Sequence, residues 1–300
     1  MPGLIAAVRT WGEMIRFSHS VFAMPFALIA TFLAGRHLPE RGVPLPGQLI
    51  LIVGCMVFAR SVAMTFNRIV DREIDARNPR TQDRPLQTGR LSLRAAMFFF
   101  GFCVGGFLAC CVGFLWLYDN PWPAVASVPL LAYLCGYSYA KWFTRWSHFY
   151  LGSAIALSPV AAWVAIHPAS LGWPAVMLMA AVTLWIAGFD IIYACQDVEV
   201  DRRDGLYSLP SRLGPATALW IARGCHVGTV GLLVLLAWVA PMGRVYLAGV
   251  AGVAVLLLIE NALVRADDLS RVNLAFFTIN GVVSVGLGVL AVADVLLALP

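Results

Sequence analysis

The chain has 300 residues, 60% of them hydrophobic and only 12% charged, with 21 Lys and Arg against 16 Asp and Glu. A soluble domain carries about 25% charged residues, so a water-soluble globular fold is excluded, and a mean hydropathy of +0.81 points to a membrane. The net charge of +5 comes without an aromatic-interleaved basic surface, which argues against a nucleic-acid partner and leaves anionic lipid headgroups as its counterpart.

The opening MPGLIAAVRTWGEMIRFSHS has a short apolar run and no small-residue cleavage site, so no signal peptide is expected. Apolar stretches of about twenty residues, enough to cross a bilayer, then recur to the end. They number about nine, near 17–35, 48–66, 95–117, 123–140, 149–166, 173–195, 215–239, 245–264 and 275–297. No low-complexity linker or separable soluble domain interrupts them. Residues 1–300 are therefore expected to form one all-α polytopic membrane domain. The seven cysteines all fall within spans without metal-ligand spacing, and read as small packing residues with no zinc and no disulfide.

Lys and Arg set the expected orientation. With nine spans and a cytoplasmic N-terminus, the inner segments collect Arg9, Arg16, Arg68 through Arg94, Lys141, Arg145, Arg202, Arg203, Arg212, Arg265 and Arg271. The outer ones hold only Arg36, Arg41 and Arg244.

The second span runs into NRIVDREIDARNPRTQDRP, Asn67 to Pro85, which holds four acids and five arginines. Asn67, Asp71 and Asp75 recur every fourth residue, drifting about 40° per step on a helix, and so share a face. Met64 and Arg60 continue that face into the span. Two carboxylates one turn apart, about 6 Å, repel by roughly 3 kcal/mol at an effective dielectric of 20. Arginines or a hard, oxygen-seeking cation such as Mg²⁺ would compensate. Taken alone, the stretch also reads as a solvated, salt-bridged loop.

A second cluster weakens that bland reading. The sixth span closes on GFDIIYACQDVEVDRRDGLYSLPSRLG, with Asp197 and Asp201 again four apart and Asp190 two turns earlier in apolar sequence. An acid within a span costs about 2.5–3.5 kcal/mol on insertion scales and marks function by default. Four spans separate the clusters, so both are expected on the cytoplasmic side, facing each other. Acid pairs suit Mg²⁺, arginines suit phosphate oxygens, and the spans behind suit a long lipid tail. An Mg²⁺-bridged diphosphate on a prenyl lipid satisfies all three.

The motifs resemble those of the UbiA superfamily of intramembrane prenyltransferases over essentially the whole chain. NRIVDREID resembles the family's NxxxDxxxD, and RTQDRPLQTG its continuation, with Arg80, Thr81, Arg84 and Gly89 in place. DVEVD resembles the second motif, DxxxD, with Asp190 where the family carries an acid seven residues upstream. YSYAKWFT resembles the segment after the fourth span, matching Lys141 and Thr144, while Arg16 matches the family's early arginine and Arg60 the hydroxybenzoate branch. The chain departs from it at Tyr207, where many such enzymes have lysine, a gap that Arg212 or Arg203 would fill.

The resemblance implies an Mg²⁺-dependent transferase of the bacterial cytoplasmic membrane, about nine helices around a central cavity, with its Asp-rich motifs on the inner side. A polyprenyl group would pass from its diphosphate to an aromatic acid, 4-hydroxybenzoate in ubiquinone synthesis or a dihydroxynaphthoate in menaquinone synthesis. Asp71, Asp75, Asp197 and Asp201, oriented by Asn67, would hold two Mg²⁺ ions. Arg72, Arg84, Lys141 and Arg212 would take the diphosphate oxygens. Arg60 would clamp the acceptor's carboxylate or pair with Asp190, which is either that partner or a proton acceptor. Tyr139 and Tyr193 would line the cation or anchor the interface. No protein partner is implied. A divalent-cation or organic-anion transporter is the competing class, but it explains poorly why both clusters lie on one face.

Overall fold

The computed structural model describes residues 10–15, 22–39, 42–240 and 242–298. Arg9, Arg16 and Arg41 lie outside the described residues. In chain order the helices are α1 (10–15), α2 (Met24–Gly35), α3 (Pro46–Val70), α4 (Arg72–Arg77), α5 (Leu93–Tyr118), α6 (Trp122–Ala140), α7 (Ser147–Ile166) and α8 (Trp173–Ala194). Then follow α9 (Val198–Arg203), α10 (Leu209–Leu213), α11 (Pro215–Val239), α12 (Arg244–Leu263) and α13 (Val272–Leu297). Among the described residues only an isolated bridge, Arg265 with Asp268, breaks the all-helical pattern.

Each of the nine expected spans contains a helix, and seven helices are long and apolar enough to cross a bilayer: α3, α5, α7, α8 with its continuation to Arg203, α11, α12 and α13. The other two differ for local reasons. α2 is only 12 residues long: the described Phe22 and Ala23 form a turn and the helix starts at Met24 with proline in its first turn, while residues 17–21 of the expected span lie outside the described residues. The 19-residue α6 carries Pro129 in its interior and falls outside the long apolar group. Lipid contact fits the surface: Trp116, Trp122, Trp173, Trp220 and Trp238 are all more than half exposed, near helix ends where indoles favour the interface.

The helices form two compact units. The first holds α1, α3 from Ile50, α4, α5 and α6 through Tyr139; the second holds α2, the start of α3 and α7 to α13. Within the first, Cys55 of α3 meets Cys111 of α5 with sulfurs 3.9 Å apart, and Cys110 Sγ packs against Gly54. Every cysteine is free, as expected, yet these three are gathered by helix packing that their spacing does not reveal.

In the second unit small residues let backbones close up. A methyl group on Gly152 of α7 would stand 2.5 Å from the Thr183 carbonyl of α8, and one on Gly188 would strike the His226 ring of α11. Between apolar helices such close approach supplies the packing that water would otherwise drive. Hydroxyls in the spans bond back to their own helix, Thr31 to the Ala27 carbonyl at 2.7 Å and Thr183 to that of Met179 at 2.8 Å. These two hydroxyls then do not face hydrocarbon alone. Deeper, Trp185 Nε1 donates to Asn280 Oδ1 at 2.8 Å, and Asn280 Nδ2 donates to Glu260 Oε1 at 2.9 Å. This network sits beside the π-helical turn Ala275–Ile279 of α13, whose Ala275 carbonyl also accepts from Asn280.

Candidate active site

In the first unit, Asp71 is the turn residue between α3 and α4. The helical rise carries across this break: the Asp71 N–H donates to the Asn67 carbonyl at 2.9 Å and the Asp75 N–H to that of Asp71 at 2.8 Å. The expected shared face therefore survives a helix boundary. Asn67 Nδ2 donates to Asp71 Oδ2 at 2.8 Å. Asp75 pairs with Arg84 and, at 3.8 Å, with Arg68. Asp71, Asp75 and Arg68 are all buried. The Thr81 hydroxyl donates to the Asp75 carbonyl at 2.8 Å, folding RTQDRP back over the acids.

Arg72, expected on diphosphate, is partly exposed and lies 3.5 Å from Glu73. Arg84, expected there too, pairs with a carboxylate of its own motif. Arg60 is partly buried within α3, and Tyr137 of α6 is near enough for the charges of Arg60, Arg68 and Asp71 to act on it. Tyr139, the tyrosine singled out from sequence, is half-exposed and edge-on to Phe66.

In the second unit a 3-10 turn, Cys195–Asp197, ends α8, and Asp201 follows on α9. Asp201 Oδ2 accepts from the Ser208 hydroxyl at 2.6 Å, and the charges of Asp197 and Lys141 reach it. Ser208 is also the N-cap of α10, exchanging bonds with Ser211 in a capping box. The Tyr207 N–H donates to the Lys141 carbonyl at 2.7 Å, so the segment before α10 is tied to the one before α7. Arg212 lays its guanidinium over the Tyr207 ring, 3.9 Å from the centroid. The tyrosine thus engages the arginine expected to replace the missing lysine. Asp190, within α8, bonds to His148 of α7 at 2.7 Å. Tyr193 packs on Phe276, ring centroids 4.2 Å apart.

Sequence reasoning missed His148, Ser208, Arg68 and Tyr137. Arg68 was findable, seven residues before Asp75 and hence on nearly the same face. His148 was not: no spacing links it to Asp190, 42 residues away.

The donor chemistry fits Mg²⁺. Each acid motif offers hard oxygens, yet among the described residues no three His, Cys, Asp or Glu side chains form a ready-made metal cluster. Mg²⁺ takes one or two carboxylates and completes its shell with water and substrate phosphates. Two acids per motif fall within that range.

With seven helices long and apolar enough to cross a membrane, the chain is of the class of integral membrane proteins, and each of its two acid motifs lies close to basic side chains. More narrowly, the sequence matches the UbiA prenyltransferase family over residues 23–282, and the chain belongs to that family. It is 29% identical to the 4-hydroxybenzoate octaprenyltransferase of Chromohalobacter salexigens, covering 83% of this chain and 80% of that protein. The Sodalis glossinidius protein of the same name is 28% identical over 97% of this chain and 96% of its own. A protoheme IX farnesyltransferase from Tropheryma whipplei is 31% identical over 53% of this chain and 52% of its own. Among solved structures, the UbiA homolog of Aeropyrum pernix, in an apo structure, superposes with a TM-score of 0.81 at 29% identity, covering 92% of this chain and 98% of that one. A UbiA homolog from Archaeoglobus fulgidus bound to GPP and Mg²⁺ shares the fold, with a TM-score of 0.68 at 18% identity, covering 95% and 99%.

Proposed function

We propose that this chain transfers a polyprenyl group from its diphosphate to an aromatic acid, 4-hydroxybenzoate in quinone synthesis, at the cytoplasmic face of a bacterial inner membrane. The observation that supports this most is the buried oxygen set Asn67, Asp71 and Asp75 with Arg68 and Arg84 against it, lying on NxxxDxxxD in a UbiA-family chain. The relatives named for 4-hydroxybenzoate point to the acceptor. A dihydroxynaphthoate carries the same carboxylate and phenol and is the second acceptor to test.

Mg²⁺, when bound with the diphosphate, supplies Lewis-acid stabilisation of the leaving group. The chain's own groups do the rest. Asp71, Asp75, Asp197 and Asp201, with Asn67, are the proposed metal donors. Lys141 and Arg212, with Arg72 and Arg84, neutralise diphosphate oxygens as charge builds on them. Arg60 holds the acceptor's carboxylate. The apolar helices keep water from the allylic centre.

The test is incubation of detergent-purified protein with one prenyl diphosphate, Mg²⁺ and a set of aromatic acids, reading pyrophosphate release and product mass. Prenylated hydroxybenzoate is the expected product. Pyrophosphate release that occurs without any prenylated aromatic would overturn the acceptor, and no Mg²⁺-dependent release at all would overturn the enzyme in favour of a transporter.

A further inference from the structure

His148 stands in the first turn of α7 and is 3% exposed, with its two ring nitrogens engaged by different parts of the second unit. Nε2 receives the Leu209 N–H at 3.3 Å. Nδ1 lies 2.7 Å from Asp190 Oδ2 on α8. Leu209 opens α10, so its N–H is one of the donors that a helix start leaves without an intrahelical acceptor. A backbone N–H only donates. The nitrogen that meets it must present a lone pair, and in a neutral imidazole the proton then sits on the other nitrogen. The Leu209 amide therefore selects the tautomer with Nδ1–H, and that N–H donates to Asp190.

The carboxylate has its Oδ2 fixed by one directed bond, while its side chain keeps 24% of its surface exposed. The same amide ties this pair to the metal-donor segment, because Ser208, immediately before Leu209, holds Asp201 at 2.6 Å. One histidine so links an acid within α8 to the segment that holds Asp201 of the second acid motif.

We propose that His148 is a positioning residue for Asp190 as the proton acceptor of the reaction, an inference that rests on the aromatic acceptor proposed above. The balance is as follows. The bond between the prenyl C1 and the diphosphate oxygen breaks, its electron pair leaving with the diphosphate. A ring carbon of the acceptor forms a new bond to C1. The proton on that ring carbon must then depart to restore aromaticity, and its C–H electron pair returns to the ring. Asp190 takes that proton on the oxygen not held by His148, and later passes it to water. The Nδ1–H bond keeps the carboxylate aimed until that moment.

Two isosteres separate the bonds. In His148→Asn the side-chain amide reaches the Nδ1 position and keeps a donor for Asp190 but loses the Leu209 contact. In His148→Gln the amide oxygen reaches the Nε2 position and keeps the Leu209 contact but leaves Asp190 without its donor. Turnover, both KM values, thermal unfolding and the isotope effect with acceptor deuterated at the reacting ring carbon are measured for each. The expected result is that His148→Asn stays within about tenfold of wild-type kcat, whereas His148→Gln falls roughly a hundredfold with little change in donor KM. His148→Gln should also show a primary isotope effect larger than that of wild type, because ring-proton loss becomes limiting. A purely structural histidine would give the reverse: the two variants would track their melting temperatures and the isotope effect would not move, which overturns the proposal. Wild type that prenylates none of the aromatic acids would sink the acceptor reading itself, and this inference with it, before any variant is compared.

Discussion

Arg212 stacks on Tyr207, its guanidinium carbon 3.9 Å from the ring centroid, at the position where the resemblance led to the expectation of a lysine. A lysine there would present a point charge, whereas this pair presents an arginine fork steadied by an aromatic face. Tyr207→Ala should release Arg212 and raise the prenyl diphosphate KM about two- to fivefold, the worth of an exposed cation–π contact. The acceptor KM should hold. Steady-state kinetics with each substrate varied in turn check this, and an unchanged donor KM would remove Arg212 from the diphosphate site.

The two acids of the first motif should behave differently when neutralised. Asp75 balances Arg84 and the buried Arg68, so Asp75→Asn should lower stability by roughly 3 kcal/mol as well as activity, since a buried pair loses one partner. Asp71 is bonded to an amide, Asn67 Nδ2, and an asparagine oxygen can still accept from it. Asp71→Asn should therefore keep its melting temperature while turnover falls by orders of magnitude, and Asp197→Asn should follow it. Unfolding in detergent and Mg²⁺-dependent pyrophosphate release separate the two effects. Substantial turnover by Asp71→Asn at saturating Mg²⁺ would show that Asp71 is no ligand.

Cys55 and Cys111 supply a test of how α3 and α5 pack within the first unit. Their sulfurs are 3.9 Å apart, about 2 Å from bonding distance. A mild oxidant should join Cys55 to Cys111 as a disulfide that peptide mass mapping detects, while Cys135 and Cys195 stay reduced. Failure to cross-link while both thiols remain alkylatable would contradict this helix register.

How far the sequence could be read follows from what each feature depends on. The spans follow from local hydropathy, so every expected one contains a helix. The face shared by Asn67, Asp71 and Asp75 follows from helical period, and it survives because backbone bonds bridge the break at Asp71. The Arg68–Asp75 pair obeys the same period and was within reach. His148 with Asp190, and Cys55 with Cys111, depend on which helices neighbour each other, which no local periodicity encodes. Tyr137 and Tyr139 show the limit most directly. Two tyrosines two residues apart point to different sides of α6, and sequence alone favoured the half-exposed one. The charges of Arg60, Arg68 and Asp71 act on the other.

Arg60 carries the prediction that bears most on substrate choice. It lies inside α3, one turn before Met64 and two before Arg68, on the stripe that leads to Asp71 and Asp75. Arg223, within the long apolar α11, sits instead over the exposed Trp220 ring at 4.5 Å. Hydroxybenzoate and dihydroxynaphthoate each carry a carboxylate, and a carboxylate withdrawn from water needs a cation with matched geometry. A guanidinium binds it through two parallel N–H bonds, which a lysine ammonium cannot copy. Arg60→Lys should therefore keep the charge, leave the donor KM near wild type and raise the acceptor KM roughly a hundredfold, equivalent to about 2–3 kcal/mol. Kinetics with acceptor and donor varied separately, together with a melting curve, divide the outcomes. A rise confined to the donor KM would move Arg60 to the diphosphate. Loss of stability with both KM values unchanged would make it a structural arginine whose charge serves its neighbours Tyr137 and Asp71, leaving the acceptor's carboxylate to another cation.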